Sequence, residues 1–201
     1  GNAHLTNKRI IGLTGGIATG KTTVANYLAS AYNLPILDAD IYAREAVSVG
    51  SLILQEIAQR YGEGILLADG NLNRQKLGEI IFNNQDKRNW VEGLIHPYVR
   101  DRFLEEIAVS SAQTLVLVVP LLFEAGMTKL VTEIWVVSCS EQQQLERLIR
   151  RNNLTLEQAQ ARIQSQLSIE EKAVRADVVL SNTSTLESLL KQVDTAFLAK
   201  R

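Results

Sequence analysis

Five short apolar runs punctuate the chain, at 9–14 (RIIGLT), 34–38 (LPILD), 114–119 (TLVLVV), 133–138 (EIWVVS) and 176–180 (ADVVL). They are leucine-rich or β-branched and barely alternate with polar residues, the pattern of strands covered on both faces. Patterns of helical period fill the gaps between them. Strands alternating with helices predict an α/β fold: a five-stranded parallel sheet with right-handed crossovers and helices on both sides, three layers in α/β/α order.

The gaps are unequal. Between the first two runs there is room for a turn and one helix, KTTVANYLASAY, with Val24, Tyr27 and Leu28 on its apolar side. Residues 39–113 separate the second run from the third, where a minimal crossover needs roughly a dozen residues. This insertion reads as helices: IYAREAV, SLILQEIAQRY, LNRQKLGEIIF with Leu77, Ile80 and Ile81 on one face, and a longer run over 85–110. GEG and ADGN break it up as turn signals. A second helical excursion, EQQQLERLIRRNNLTLEQAQARIQSQLS, separates the fourth and fifth runs. Within it NNLT ends one helix and starts another, with Thr155 as N-cap and Gln158 in the capping-box position. The expected division is a core of 9–39, 112–146 and 174–200, a helical insert of 40–111, and a lid of 147–173.

Composition adds exclusions. The chain has 201 residues, 46% of them hydrophobic, and 21 Lys and Arg against 22 Asp and Glu. It can bury a sizeable core, but its net charge of -1 supplies no bulk field for nucleic acid or an anionic membrane. No apolar stretch approaches the roughly 18 residues of a membrane span, and GNAHLTNKR lacks the apolar core of a signal peptide. The first few residues, from Gly1, are set aside from the fold. The single cysteine, Cys139, cannot close an internal disulfide or build a metal cluster, which fits a reducing cytoplasm; it reads as a small buried hydrophobe, with a reactive thiol as the alternative.

The first candidate chemistry follows the first strand. Gly15, Gly16, Ile17, Ala18, Thr19, Gly20, Lys21 and Thr22 fit G-x-x-x-x-G-K-[ST] without a gap, between an apolar strand and an amphipathic helix. Glycines let consecutive N–H groups curl toward a phosphate, and the helix N-terminus adds its partial positive charge. Lys21 would reach the β- and γ-phosphates and the Thr22 hydroxyl would ligate Mg²⁺ together with waters. A plain glycine-rich turn is the alternative, but a lysine in the first turn of a helix opposes the dipole unless an anion is bound.

Such a loop serves switches, pumps and kinases alike. The D-x-x-G and N-K-x-D signatures of GTPases are missing, the only Asn-Lys pair, Asn7-Lys8, precedes the first strand, and L-S-G-G-Q is absent. The third run ends in no aspartate. Two carboxylates, Asp38 and Asp40, end the second run; if that segment is extended, both project from one face beside the phosphate loop, at the carboxyl ends of the strands. Either could accept a proton from an attacking hydroxyl, hold Mg²⁺ through water, or merely cap the next helix. Arg147, Arg150 and Arg151 stand at i, i+3 and i+4, with Arg162 on the next helix: a lid that closes over ATP, or a solvated face paired with Glu146. HP at 96–97 reads first as a helix start or kink. These residues favour a kinase, with other small-molecule kinases and an ATP-binding switch as alternatives.

Seven segments together resemble the dephospho-CoA kinases: GLTGGIATGKTTVA, LDADIYAREAV, ADGNLNRQKLGEIIF, LIHPYVR, VVPLLFEAG, QLERLIRRNNLTLEQAQARIQSQ and ADVVLSN. The likeness runs over residues 9–190. It implies a P-loop NTPase fold of the nucleoside-monophosphate-kinase type, and transfer of the ATP γ-phosphoryl to the ribose 3′-hydroxyl of dephospho-CoA in the cytoplasm, with no nucleic acid, membrane or obligate protein partner. It implies ATP on residues 15–23, through Thr23, with Arg147, Arg151 and Asn182, and a catalytic set of Lys21, Asp38, Asp40 and Arg147, Asp40 being the preferred base. It places Thr14, Asp38, Asp40, Arg74, His96, Pro97, Leu121 and Arg162 on the acceptor side. Three features depart from the family pattern. Ala18-Thr19 replaces Gly-Ser, and alanine is expected there only with negative φ; Thr22 replaces serine; and SNTST after the last strand lacks a glycine beyond Asn182.

Overall fold

The computed structural model describes residues 7–199. The amino-terminal residues set aside above, 1–6, and residue 200 of the expected core lie outside them. The described chain divides into two compact units: one is the chain up to Asp38 together with the chain from Val109 onward, the other is Ala39–Ala108. The expected boundary at 147 falls inside a continuous helix, and the second excursion belongs to the same unit as the sheet.

The first unit holds five strands, β1 (Arg9–Gly15), β2 (Ile36–Asp38), β3 (Thr114–Val118), β4 (Glu133–Ser138) and β5 (Val178–Ser181). All pair in parallel, in the order β2-β3-β1-β4-β5. β1 is therefore central, and the chain leaves it toward opposite edges in its two halves, the arrangement that opens a crevice at the carboxyl ends of the strands. Ile11, Leu13, Val116, Val118, Trp135 and Val137 pack on α1 (Lys21–Tyr32) and, through Leu189, Val193 and Ala196, on the last helix. Ile10, Leu115, Leu117 and Val136, of opposite parity, are equally buried, so both faces are covered, as the non-alternating runs predict. Each such side chain contributes about 1.5–3 kcal/mol on burial.

Within the second unit lie α2 (Ala39–Ala46), α3 (Leu52–Tyr61), α4 (Arg74–Phe82) and α5 (Gln85–Val109), with a 3₁₀ turn at Glu63–Ile65. Val47, Leu54, Ile57, Ile65, Leu72, Leu77 and Val91 form its core, with Ile80 and Ile81 packed against it. Ser51 and Asn73 cap α3 and α4. Glu45 of α2 accepts from the Tyr98 hydroxyl at 2.6 Å and Arg102 Nε at 2.7 Å, tying α2 to α5. Pro97 sits inside α5 without ending it. Its ring crowds the carbonyl four residues earlier, and that residue is Gly93, the most yielding backbone available.

The second excursion forms α6 (Glu141–Asn152), α7 (Leu156–Gln164) and α8 (Ile169–Val174), and α9 (Leu186–Leu198) follows β5. Thr155 and Gln158 make the predicted capping box on α7, and Ser140 with Gln143 makes a second one on α6.

Candidate active site

Between β1 and α1 the chain folds back on itself, and its carbonyls are taken one after another by side chains of the loop itself, of the first turn of α1 and of later elements of the first unit. Gly15 O accepts from Lys172 Nζ at 3.1 Å. Gly16 O accepts from Thr19 Oγ1 at 3.0 Å and Lys21 Nζ at 2.7 Å. Ile17 O accepts from Gln144 Nε2 at 2.9 Å, Ala18 O from Arg147 at 3.4 Å, and Thr19 O from Asn182 Nδ2 at 2.8 Å and Arg147 at 3.4 Å. No described peptide is cis, and across a trans peptide plane C=O and the next N–H point in opposite directions. Five successive carbonyls are thus held by side chains, and the N–H groups of Gly16 through Gly20 point away from the partners of those carbonyls.

The helix behind the loop leaves its first N–H groups without a side-chain cap. Gly20 precedes α1 with φ 112°, no side chain caps the helix, and its first turn carries no acidic residue. By contrast α3, α4, α6, α7, α8 and α9 each have a Ser, Thr or Asn cap. An uncapped N-terminus with a positive dipole end is an anion site. Two glycines are hard to replace here. A Cβ at Gly15 would stand 2.5 Å from the backbone oxygen of Val137, and Gly20, with φ 112°, would set its Cβ against the Asn182 amide.

The model of the dephospho-CoA kinase family matches residues 9–188. A dephospho-CoA kinase of a Nostoc species is 75% identical over 189 residues, covering 94% of this chain and 96% of that one. A Thermus thermophilus crystal structure superposes with a TM-score of 0.80 at 32% identity over 96% of this chain and 99% of its own. The dephospho-CoA kinase structure from Campylobacter jejuni gives 0.70 at 28% identity, over 94% and 96%.

The chain belongs to the dephospho-CoA kinase family. Its fold is that of a P-loop kinase, and the family's motifs can now be placed. Asp38 closes β2 in register with Val118 of β3, which is itself in register with Leu13 of β1. Two strand spacings, about 10 Å, thus separate its Cα from the strand that feeds the phosphate loop. Asp38 and Asp40 are not two residues of one extended segment: α2 starts at Ala39, so Asp40 lies in its first turn. Helical geometry removes the same-face argument, and the two carboxylates stand at a strand-to-helix junction on either side of the unit boundary.

Ala18 departs from expectation in the other direction. Its φ is +61°, not negative: the loop keeps its left-handed turn and the alanine bears the steric cost.

The arginines do not act as one face. Arg147 alone reaches the loop, half-buried, and its second nitrogen also donates to Asn182 O at 3.2 Å. Arg150 and Arg151 are exposed, Arg151 bonding to neighbouring Asn152, and Arg162 is exposed in the last turn of α7. Glu146 accepts from Gln142. Thr14 is fully buried, donating to Pro120 O at 3.1 Å, and Leu121 follows that proline, half-buried. Asn182 supports the loop through its amide. In the second unit Arg74 is the exposed first residue of α4, and His96 is half-buried on α5, its pKa pushed down by burial. Cys139 is buried after β4, and burial raises its thiol pKa against the pull of Arg147 and Lys21.

Sequence reasoning missed Gln144 and Lys172. Gln144 shares the buried side of α6 with Leu148, four residues on, and a polar residue on an apolar face was its available signal. Lys172 lies in the charged run IEEKAV, where nothing marks which charge turns inward.

Proposed function

We propose that the loop from Gly15 to Thr23, with Lys21, Arg147, Asp38 and Asp40, transfers the γ-phosphoryl of ATP to the ribose 3′-hydroxyl of dephospho-CoA, the reaction of the family to which the chain belongs. The side-chain bonds to the carbonyls of residues 15–19 support this reading, because they turn the N–H groups of the same peptides away from those partners and leave them for phosphate.

The N–H groups hold the β-phosphate, and Lys21 exchanges the Gly16 carbonyl for a phosphate oxygen. The acceptor 3′-oxygen attacks the γ-phosphorus in line with the bridging oxygen of ADP; the new P–O bond forms as the bridge breaks, and the hydroxyl proton passes to Asp40, leaving coenzyme A and ADP. Asp38 orients the acceptor. Lys21 and Arg147 offset charge on the phosphoryl oxygens, so catalysis is mainly positioning and electrostatics. Arg151 and Asn182 serve the nucleotide, while Thr14, Arg74, His96, Pro97, Leu121 and Arg162 serve the acceptor.

Magnesium fits the donors present. Among the described residues no group of three or more His, Cys, Asp or Glu could cage a metal, whereas Mg²⁺ at nucleotides commonly takes one or two protein oxygens, phosphates and waters. Thr22, exposed in the first turn of α1, would supply that oxygen, with Asp38 or Asp40 through water. When bound, the ion neutralises β- and γ-phosphate charge. No described helix is long and apolar enough to cross a membrane. The cytoplasm, where ATP is held, is the proposed compartment.

A coupled ADP assay tests the reading, with dephospho-CoA, shikimate, gluconate and nucleosides as acceptors and Asp40→Asn in parallel. ADP release is expected with dephospho-CoA and is expected to collapse in Asp40→Asn. Turnover on a nucleoside with none on dephospho-CoA would overturn the acceptor, and undiminished Asp40→Asn would overturn the base.

A further inference from the structure

Lys172 lies on α8, outside the roles assigned above. Among the described residues it is the only basic side chain in the buried set, with no accessible surface. Its ammonium has three hydrogens and meets three acceptors: Gly15 O at 3.1 Å, Pro120 O at 3.1 Å and Glu124 Oε2 at 3.2 Å. Gly15 ends β1 and opens the phosphate loop. Pro120 lies two residues beyond β3, the strand paired with β1, and its carbonyl also takes the Thr14 hydroxyl. Glu124 in turn accepts from the Leu167 N–H just ahead of α8 at 3.1 Å.

Burying a charge pair is a poor way to stabilise a fold, because the desolvation of both ions offsets most of their attraction and a well-packed apolar pair does as well or better. What an apolar pair cannot do is hold a carbonyl in a chosen direction. The Gly15 carbonyl shares a peptide plane with the Gly16 N–H, so the Lys172 ammonium sets the aim of the first donor in the loop. The same nitrogen fixes Pro120, the start of the segment facing the carboxyl end of the sheet beside β1.

We propose that Lys172 is a positioning residue for phosphoryl transfer: by holding the Gly15 and Pro120 carbonyls together, it aims the Gly16 N–H at the nucleotide phosphate and keeps the segment after β3 in register with the loop. This rests on the phosphate-loop reading above. Lys172 touches no reacting atom. Its effect passes through the backbone of Gly15 and Pro120.

The test compares Lys172→Met, Glu124→Gln and the double variant Lys172→Met/Glu124→Gln with the wild type. The double variant removes the stranded carboxylate while leaving an oxygen for the Leu167 N–H, which separates stability from positioning. It is expected to unfold near the wild-type temperature, yet to lose on the order of 10²-fold in kcat, the scale of a misplaced reacting group. KM for dephospho-CoA should stay within about twofold, and ATP affinity, read by calorimetry without acceptor, should weaken about tenfold, one loop donor being misaimed. Glu124→Gln alone keeps Lys172 on both carbonyls and should retain most of the wild-type kcat. A double variant that regains both stability and kcat would overturn the proposal. If the methionine variants do not fold, Lys172→Gln, whose amide has two hydrogens for the two carbonyls, is expected to keep kcat within about tenfold of the wild type, and a folded Lys172→Gln that loses on the order of 10²-fold overturns the proposal; failure of all three to fold assigns Lys172 to the fold and overturns the proposal as well. The acceptor-free ATP measurement reads Lys172 even if another acceptor proves correct.

Discussion

Arg147 and Asn182 meet on one backbone oxygen. The guanidinium of Arg147 stands 3.4 Å from Thr19 O and the amide nitrogen of Asn182 stands 2.8 Å from it, while Arg147 also donates to the Asn182 carbonyl at 3.2 Å. The three groups form a closed set, so the arginine assigned to the γ-phosphate is already held at the loop. Its two 3.4 Å bonds are long and easily given up for a phosphate oxygen. Residues sharing a partner do not act independently. Arg147→Ala is expected to lower kcat on the order of 10²-fold, and Asn182→Ala chiefly to raise KM for ATP. A double-mutant cycle on thermal stability should give a coupling of about 0.5 kcal/mol or more; strict additivity would show that the shared oxygen is unimportant.

Ala18 offers a stabilising change inside a functional loop. A left-handed alanine costs about 1–2 kcal/mol, and glycine returns about 0.5–1 kcal/mol of that through the entropy of the unfolded chain. Ala18→Gly should therefore raise stability by up to about 1 kcal/mol, or roughly 2–4 °C for a chain of this size, with KM for ATP unchanged because the loop keeps its shape. Ala18→Val, β-branched at positive φ, should move the melting temperature the other way. A melting temperature lowered by glycine would mean that φ at this position is negative.

Lys21 turns back onto Gly16 O at 2.7 Å, the carbonyl that also takes the Thr19 hydroxyl. Lys21→Ala leaves Thr19 on that carbonyl, so the aim of the Ile17 N–H survives while the charge is lost. The expected loss in kcat is on the order of 10²–10³, with the melting temperature of the free protein little changed. A melting temperature that falls as steeply as the rate would recast Lys21 as a loop strut.

Much of this was legible in local patterns, and the exceptions share a cause. β4 was bounded by its apolar run alone. β2 begins at Ile36 rather than at Leu34 because Pro35 has no N–H to give, although its carbonyl still accepts from Val116. The phosphate motif and the capping box at Thr155 are also local, set by residues a few positions apart. The supports of the loop are not. Gln144 acts 127 residues from Ile17, Lys172 157 residues from Gly15, and Asn182 163 residues from Thr19. No periodicity links them, and α8 spans only 6 residues, too few to show which face is buried. Asp38 and Asp40 do not share an extended face for a local reason: the strand ends at Asp38 and the helix begins at Ala39, two residues before the strand would have had to end.

His96 gives the pH dependence a definite sign. Burial holds its imidazole below the ordinary 6.5, with Glu92 pulling the other way and Arg100 pushing it lower. The unfolded chain therefore binds a proton near pH 6.5 that the folded chain does not yet bind, so stability conferred above that pH is lost as pH falls through about 6.5 toward the lower folded value. The carboxyl groups whose pKa values are lowered on folding, Glu45 through Tyr98 and Arg102, Asp69 through Asn71, and Asp194 through Tyr32 and Tyr27, start from 4.5 or 3.8 and act in a more acidic window. Urea midpoints at pH 7.5 and 5.5 isolate the histidine. The wild type should lose more stability over this interval than His96→Gln, whose amide fills similar space without titrating. Equal losses in the two proteins would show that His96 titrates alike in the folded and unfolded chains.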